Sequence, residues 1–512
     1  MAVSVCESLT MEENIKSTGI AKSSHIVLWQ FGIHTHPKLV LVTPSECHAF
    51  KINPSQSHIL VAGCMNGQIA LFNLSDDIIS KTSSFSTRST DNSNKNDIVT
   101  IPHLEPKALT HPEHSHKRMV TDIAWLPPGT QINAKGKLLP KKYLSNLSNQ
   151  FLTLSGDGTI FFWDIRFEDI MRGKLPYIAK VKGIKNQIQK GNQGTDSQAE
   201  VNFPSTIWVP LYKIKVKRLE GTGDLSLSRV CLPNQNESSD QRKSQICCSS
   251  EEGEIVKIGW SSKEEKDCTE KQDSAEKSCF AQNFVHWVKP DHMRPCFTME
   301  RSNFFPDFIL TVSDWNFHIW HIENETEKPL FVSCDGSCFL TGGYWSPTRP
   351  AILYIAKSDG CVDIWDFTNS FHGPSSTLSL TPNKITSMAF IITENCENEK
   401  KNMLTVSDNL GALKVFELPL NLVKSHPNEL KKMNHFLYMD DFSGLHSSLE
   451  AESVESTGDR INNDDEKYIH DQSNSFKFEK VGLMELEIVK ENNGLSEEEE
   501  KVYIEMEKKI LG

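Results

Sequence analysis

A short apolar strand, a tight turn and a second strand recur six times along the chain, with a large apolar residue five positions after a fixed turn residue. The units run from Ile59 through Asn66-Gly67 to Phe72, from Phe151 through Asp157-Gly158 to Trp163, and from Ile246 through Glu252-Gly253 to Ile258. They continue from Ile309 through Asp314-Trp315 to Trp320, from Ile352 through Asp359-Gly360 to Trp365, and from Met403 through Asn409-Leu410-Gly411 to Phe416. Asn-Gly and Asp-Gly accept the positive φ of a type I′ turn, whose twist matches the strands it joins, so each unit is expected to form a β-hairpin. The second strands, such as Thr159-Ile-Phe-Phe-Trp-Asp, alternate but carry extra apolar residues, as strands covered on both faces do.

Upstream of the hairpins stand further strand signals ending in turns, such as His48 to Ile52, Val120 to Trp125, Gly343 to Trp345 and Ile385 to Phe390, giving about four strands per unit. The anchors Trp29, Phe72, Trp163, Ile258, Trp320, Trp365 and Phe416 are 43, 91, 95, 62, 45 and 51 residues apart. Three of these intervals lie near the roughly 40–45 residues of a WD-type blade, and the long ones hold polar insertions. The expected fold is therefore all-β, a WD40-type β-propeller of six full blades plus a partial first blade, with a C-terminal helical and acidic tail. The insertions fall at about 75–117, within 132–148, at 182–202 and at 261–279, and are expected on the rim. Trp163, Trp320 and Trp365 read as blade-packing rings, and Asp157, Asp314 and Asp359 as turn formers.

The ends of the array differ from its middle. Residues 1–31 are expected to supply only the third and fourth strands of a first blade, Ala2 to Val5 and Ser24 to Phe31, joined by a helical stretch from Leu9 to Ser17. Residues 32–419 carry the remaining blades. Within 420–442 the spacing of Leu430, Met433, Phe436 and Leu437 predicts a helix. Residues 443–474 read as an acidic disordered linker. Residues 475–512 read as an acidic helical segment, where Ser496 to Glu499 forms a capping box ahead of a Tyr503, Met506 and Ile510 stripe.

Charge follows the same division. Of the formal −13, the segment from Met439 to Gly512 carries −12, with 20 acidic and 8 basic residues, and the rest of the chain carries −1. A nearly neutral body offers no wide positive face for nucleic-acid phosphates, so no nucleic-acid partner is expected. No window of 18 apolar residues and no basic n-region with an apolar core occurs, so neither a membrane span nor export is expected. Thirteen cysteines without a short-spaced framework read as reduced thiols, placing the chain in the cytoplasm.

Motifs for chemistry are scarce. The sequence has no phosphate loop, no His-Glu-x-x-His, no Gly-x-Ser-x-Gly and no Cys-x-x-Cys, and no catalytic, cofactor-binding or metal-binding residue is assigned. Gly221-Thr-Gly223 reads as a turn. His103, His111, His114 and His116 read as solvated loop histidines instead of a metal set. Cys247, Cys248, Cys334 and Cys338 read as buried thiols. The basic runs at Lys135 to Lys142, Lys180 to Lys190 and Lys213 to Arg218 read as solvated edges and loops.

Several phrases go beyond a generic propeller. His25-Ile-Val-Leu-Trp-Gln-Phe31, His36-Pro-Lys-Leu-Val-Leu41, Phe50-Lys-Ile-Asn-Pro-Ser55 and Ala62 to Phe72 together resemble the propeller of dynein intermediate chains. Trp345-Ser-Pro-Thr-Arg-Pro350, followed by Ser358 to Asp366, resembles a late blade of the axonemal members, nearest to the inner-arm subtype. The resemblance covers nearly the whole chain and implies a seven-bladed propeller in a non-catalytic scaffold subunit of a ciliary motor on the axoneme. The implied partners are the dynein heavy-chain tail and a second intermediate chain. Light-chain binding is not carried over, because the long N-terminal region that supports it in that family has no counterpart here. Trp-Asp blade endings occur only at Trp163-Asp164 and Trp365-Asp366. The alternative carried beside this one is a free cytosolic WD-repeat adapter, such as a substrate receptor of a ubiquitin ligase.

Overall fold

The fold was taken from a computed structural model that describes residues 2–5, 24–30, 36–75, 101–179, 208–218, 224–233, 244–260, 285–290, 292, 294–322, 328–334, 336–394 and 400–438. The Leu9 to Ser17 stretch, the insertions at 182–202 and 261–279, the Lys180 to Lys190 run, and the segments 443–474 and 475–512 lie outside the described residues.

Seven sheets form a seven-bladed β-propeller. All six hairpins read from the sequence are present, as Ile59–Cys64 with Ile69–Asn73, Gln150–Ser155 with Thr159–Asp164, Gln245–Ser250 with Glu254–Gly259, Phe308–Val312 with Phe317–His321, Ile352–Lys357 with Cys361–Asp366, and Lys400–Asp408 with Leu413–Glu417. An inner strand precedes each hairpin, for example Cys47–Ile52 or Leu340–Trp345. In the second to sixth blades the strands joined by the tight turn are mostly buried on both faces because each sheet is sandwiched between neighbours, whereas Leu413–Glu417 of the last sheet is only half-buried. All six residues of Gln150–Ser155 are buried, and Leu152, Leu154, Ile160 and Phe162 meet Ile246, Val256 and Ile258 of the next sheet. Burial of side chains of this kind is worth roughly 1.5–3 kcal/mol each and is the main force holding blade to blade.

Glycine is required where the turns meet the following blade. Gly67 has φ +82°, and a Cβ there would overlap the backbone carbonyl of His116. Gly253 stands in the same relation to the carbonyl of His292. The turn at Asp314-Trp315 is built differently, closed by a Ser313 N to Asn316 O bond of 3.0 Å, with no positive φ at Trp315.

The two end sheets correct the sequence reading in detail. Ser24–Leu28 pairs with Ala2–Val5 on one side and with Leu39–Thr43 on the other, so the first sheet has three antiparallel strands and runs past residue 31. His103–Leu104 adds to it in parallel beside Leu39–Thr43. The last sheet has three strands among the described residues. The supposed polar excursion at 75–117 is also shorter than expected. Ala108–Leu109 pairs with Ile69–Asn73 as the fourth strand of the second blade, and Leu104, Ala108, Thr110 and His116 are buried. Two-residue strands are too short to show periodicity, which is why composition alone assigns them to the rim.

The predicted helix within 420–442 is two pieces. Helix α1 (Phe167–Met171) lies in the third blade; α2 (Leu420–Val423) and α3 (Glu429–Leu437) follow the last strand, with Asn428 at φ 67° marking the bend between them. Met433, Phe436 and Leu437 on one side of α3 enter the core shared by the fifth and sixth blades, where Phe436 meets Phe331 and Phe367.

Candidate functional site

Antiparallel pairing puts the turn of every hairpin and the loop leading into each inner strand on one face of the ring, here called the turn face. The opposite face carries α2 and α3. Two buried relays organise the turn face.

In the third blade, Trp163 Nε1 donates to Thr153 Oγ1 at 2.9 Å, and Thr153 Oγ1 lies 2.8 Å from His116 Nε2. His116 Nδ1 lies 2.8 Å from Thr159 Oγ1, and Thr159 donates to Asp157 Oδ1 at 2.5 Å. The directions fix the tautomer. Thr159 spends its proton on Asp157, so its oxygen accepts from His116 Nδ1–H, leaving His116 Nε2 to accept from Thr153. A neutral imidazole satisfies every bond of the chain, and burial lowers the His116 pKa in agreement. Burial opposes ionisation of Asp157, yet its hydrogen bonds hold its carboxyl well below the usual range. At 3.8 Å from His116 Nδ1, that carboxylate is bonded by Thr159 and by Lys117 N (2.8 Å) instead of by the ring itself. The imidazole stacks on Phe161 at 4.0 Å between centroids.

The fifth blade repeats the device with different chemistry. Trp320 Nε1 donates to Thr311 Oγ1 at 2.9 Å, and Thr311 Oγ1 is 2.9 Å from His292 Nε2. The ring stacked on His292, at 3.8 Å, is His318, which occupies the place of Phe161. Burial pushes His292 down to about 4 and His318 to about 3. Asp314 is bonded by Arg294 Nε at 2.8 Å. Each relay ties a loop entering an inner strand to the hairpin turn beside it, which makes the turn face rigid. The third-blade groups satisfy one another throughout, whereas in the fifth blade His292 Nδ1 is buried without a hydrogen bond among the described residues; in both, the arrangement is that of a structural relay.

On this rigid face, Trp315 and Phe339 stack at 4.3 Å with 42% and 45% of their surfaces exposed. Trp315 stands at the turn position that glycine fills in the second, third, fourth and sixth blades. On the opposite face a cleft of about 440 Å³ opens between the second and third blades, lined by Lys107, Arg166, Glu168 and Asp169 among polar and apolar neighbours.

The opposite face is closed by α3. Glu429, 1% exposed, takes both carboxylate oxygens to Arg349 Nε at 3.1 and 3.0 Å, and also accepts from His426 N at 2.9 Å. Arg349, 3% exposed, donates from Nη1 to Asn421 O at 2.8 Å and from Nη2 to Asp366 at 3.2 Å. The guanidinium therefore joins the sixth blade, α2 and α3.

The structure sorts the other sequence candidates. The four histidines do not form one set: His116 is buried in its relay, correcting its reading as solvated; His103 faces His25 at 6.1 Å; and His111 and His114 sit on a short turn, 6.4 Å apart. No group of three His, Cys, Asp or Glu placed to hold a metal occurs among the described residues. Cys247 and Cys248 are buried as expected, whereas Cys334 is exposed and Cys338 half-buried. The Lys213 to Arg218 run begins on the edge strand of its sheet, with Lys213 and Lys217 exposed; Lys213 lies over Phe161 at 4.7 Å, Lys215 pairs with Asp224 at 2.7 Å, and Arg218 pairs with Glu252. Gly221-Thr-Gly223 lies outside the described residues; Lys217 and Asp224, on either side of it, pair in antiparallel fashion. Among the described residues no helix is long and apolar enough to cross a membrane. The sequence reading missed the relays and the clasp. The Thr-Leu-Ser or Thr-Val-Ser phrase shared by the third and fifth blades, with Trp nine or ten residues after its Thr, is the available signal for the relays.

Comparison with known proteins places the chain. The family model described as the dynein axonemal intermediate chain 3 WD40 domain matches residues 1–252 and 237–418. Dynein axonemal intermediate chain 3 of Homo sapiens is 28% identical over 488 residues, covering 85% of this chain and 52% of that protein. Its counterpart in Danio rerio is 28% identical over 414 residues, covering 74% and 41%. The 70 kDa intermediate chain of the flagellar outer arm dynein of Chlamydomonas reinhardtii is 21% identical over 416 residues, covering 81% and 54%. The chain spans about half the length of the curated relatives it matches.

Proposed function

Since the chain belongs to the dynein axonemal intermediate chain 3 WD40 family, we propose that it is a non-catalytic scaffold subunit of an axonemal dynein of the inner-arm type. In this reading it binds the tail of a dynein heavy chain, works beside a second intermediate chain, and resides in the axoneme of a cilium or flagellum. The observation that carries the proposal is the extent of the family match, which spans the propeller from its first sheet to the end of its last. The kind of surface agrees with it: the polar groups of the relays and of the clasp are spent on rigidity, and aromatic rings such as Trp315 and Phe339 stand exposed on a fixed frame.

The test is velocity sedimentation of an axonemal salt extract. The protein is expected in the fast fractions with a dynein heavy chain. Sedimentation at the rate of a free 57.9 kDa chain, apart from every heavy chain, would overturn the proposal.

A further inference from the structure

The outer side of α3 is unlike its inner side. Leu430, Asn434 and Tyr438 follow one another at i, i+4 and i+8, all exposed, with Leu430 at 52% and Tyr438 at 53%. Lys431 and His435 flank this stripe, and Lys432 and Lys424 stand exposed nearby. Leu420, 81% exposed, stands on α2, which the Arg349 guanidinium ties to α3 by binding both Asn421 O and Glu429. Exposed Leu430 and half-exposed Tyr438, which also packs edge-on against Phe308 and His321, thus flank Asn434 and are edged with cations on the outside of a helix whose inside is fixed in the core.

The same chain carries the complementary pattern. From Ser496 to Glu507 the sequence has six glutamates and one lysine, and its Tyr503, Met506 and Ile510 recur at the spacing of one helical face. An isolated helix of about fifteen residues is marginal in water, so such a stripe gains its stability by packing. Residues 439–495 connect it to α3, and a random chain of that length has an r.m.s. span of about 40 Å, against the roughly 14 Å length of α3. Tethering makes the encounter intramolecular, with an effective concentration near the millimolar range.

We propose that the acidic segment Ser496 to Gly512 lies across the outer face of α3, setting Tyr503 and Met506 on Leu430 and Leu420, and Glu499 and Glu505 against Lys431 and Lys432. The contact is electrostatically assisted and shields the exposed leucines of the clasp. An external acidic amphipathic segment would compete for the same face.

A zero-length carbodiimide cross-linker, which joins an amine only to a carboxylate in direct contact, tests this on the full chain. The expected product is an isopeptide between Lys431 or Lys432 and a glutamate of 497–507, in monomeric protein, with a yield independent of protein concentration. The yield should fall about fivefold as salt rises from about 0.05 M to about 0.5 M. The swap K431E/K432E removes the product, and adding E499K/E505K restores a link of opposite polarity between the same two segments. Absence of any link from 431 or 432 to 497–507, links only to acids of 440–466, or links that form only between two copies of the chain would each overturn the proposal.

Discussion

Glu429 reaches back 80 residues to place both carboxylate oxygens on the Nε of Arg349, at 3.1 and 3.0 Å, with both side chains almost wholly buried. A buried pair of this kind adds little net stability over an apolar substitute, because desolvation cancels most of the attraction, but its halves cannot be separated cheaply. The pair is therefore expected to act as a lock on the position of α3.

The first prediction follows from that lock. E429A takes away the partner of Arg349 Nε and leaves the buried guanidinium only Asp366 and the Asn421 carbonyl, and should cost about 3 kcal/mol. The double variant R349M/E429L should regain most of the loss, as read from urea unfolding midpoints. Equal costs for the single and double variants would show that the pair is not coupled.

The relay makes a second prediction. T153V removes the hydroxyl that links Trp163 and His116. It keeps the shape but leaves two buried groups unsatisfied, so a loss of about 2 kcal/mol is expected in urea unfolding. T311V should cost a similar amount in the fifth blade, where Thr311 links Trp320 and His292.

A third concerns the turns. G67A forces a side chain onto a backbone with φ +82° and against the His116 carbonyl. A loss of about 2–3 kcal/mol is expected, whereas G129A, with open space around the Cβ position, should lose less. Thermal unfolding of the two variants side by side checks the difference.

The fourth is a pH dependence with two limbs. Burial holds His292 and His318 at about 4 and about 3, below their unfolded value near 6.5. The unfolded chain binds more protons in that window, so stability present above pH 6.5 is lost as pH falls toward 4 and then 3. H318F, which installs the ring found at position 161 of the other relay, should flatten this acid limb. Glu300 acts oppositely. Burial raises its carboxyl to about 7, against Trp345 N at 2.8 Å and a weak pull from Lys51, with Tyr344 nearby. Its contribution is present below about pH 4.3 and lost as pH rises through 7. E300Q should therefore raise the unfolding midpoint at pH 8 more than at pH 5.

Much of the fold is legible in the amino-acid sequence, for a physical reason. Asn66-Gly67, Asp157-Gly158 and Asp359-Gly360 announce their turns locally, and Trp163 and Trp365 sit where strands must be buried. Features that depend on distant partners are not legible in the same way. Along the chain His116 is one of four loop histidines, and only the fold brings Thr153 and Thr159 to its two nitrogens. Leu39–Thr43 has the pattern of a strand beginning the next unit and instead closes back on Ser24–Leu28. Glu429 has the signature of one more surface acid on a helix, because its partner lies in another blade. Local turn chemistry is written within a few residues, whereas a buried polar network is defined only by the tertiary contacts that satisfy it.

Affinity purification of the tagged full chain from ciliated or flagellated cells, followed by mass spectrometry, tests the central claim most directly. A dynein heavy chain recovered in near-equal amount, together with a second intermediate chain, is the result expected of an inner-arm scaffold. Recovery of ubiquitin-ligase subunits without any dynein chain would contradict it.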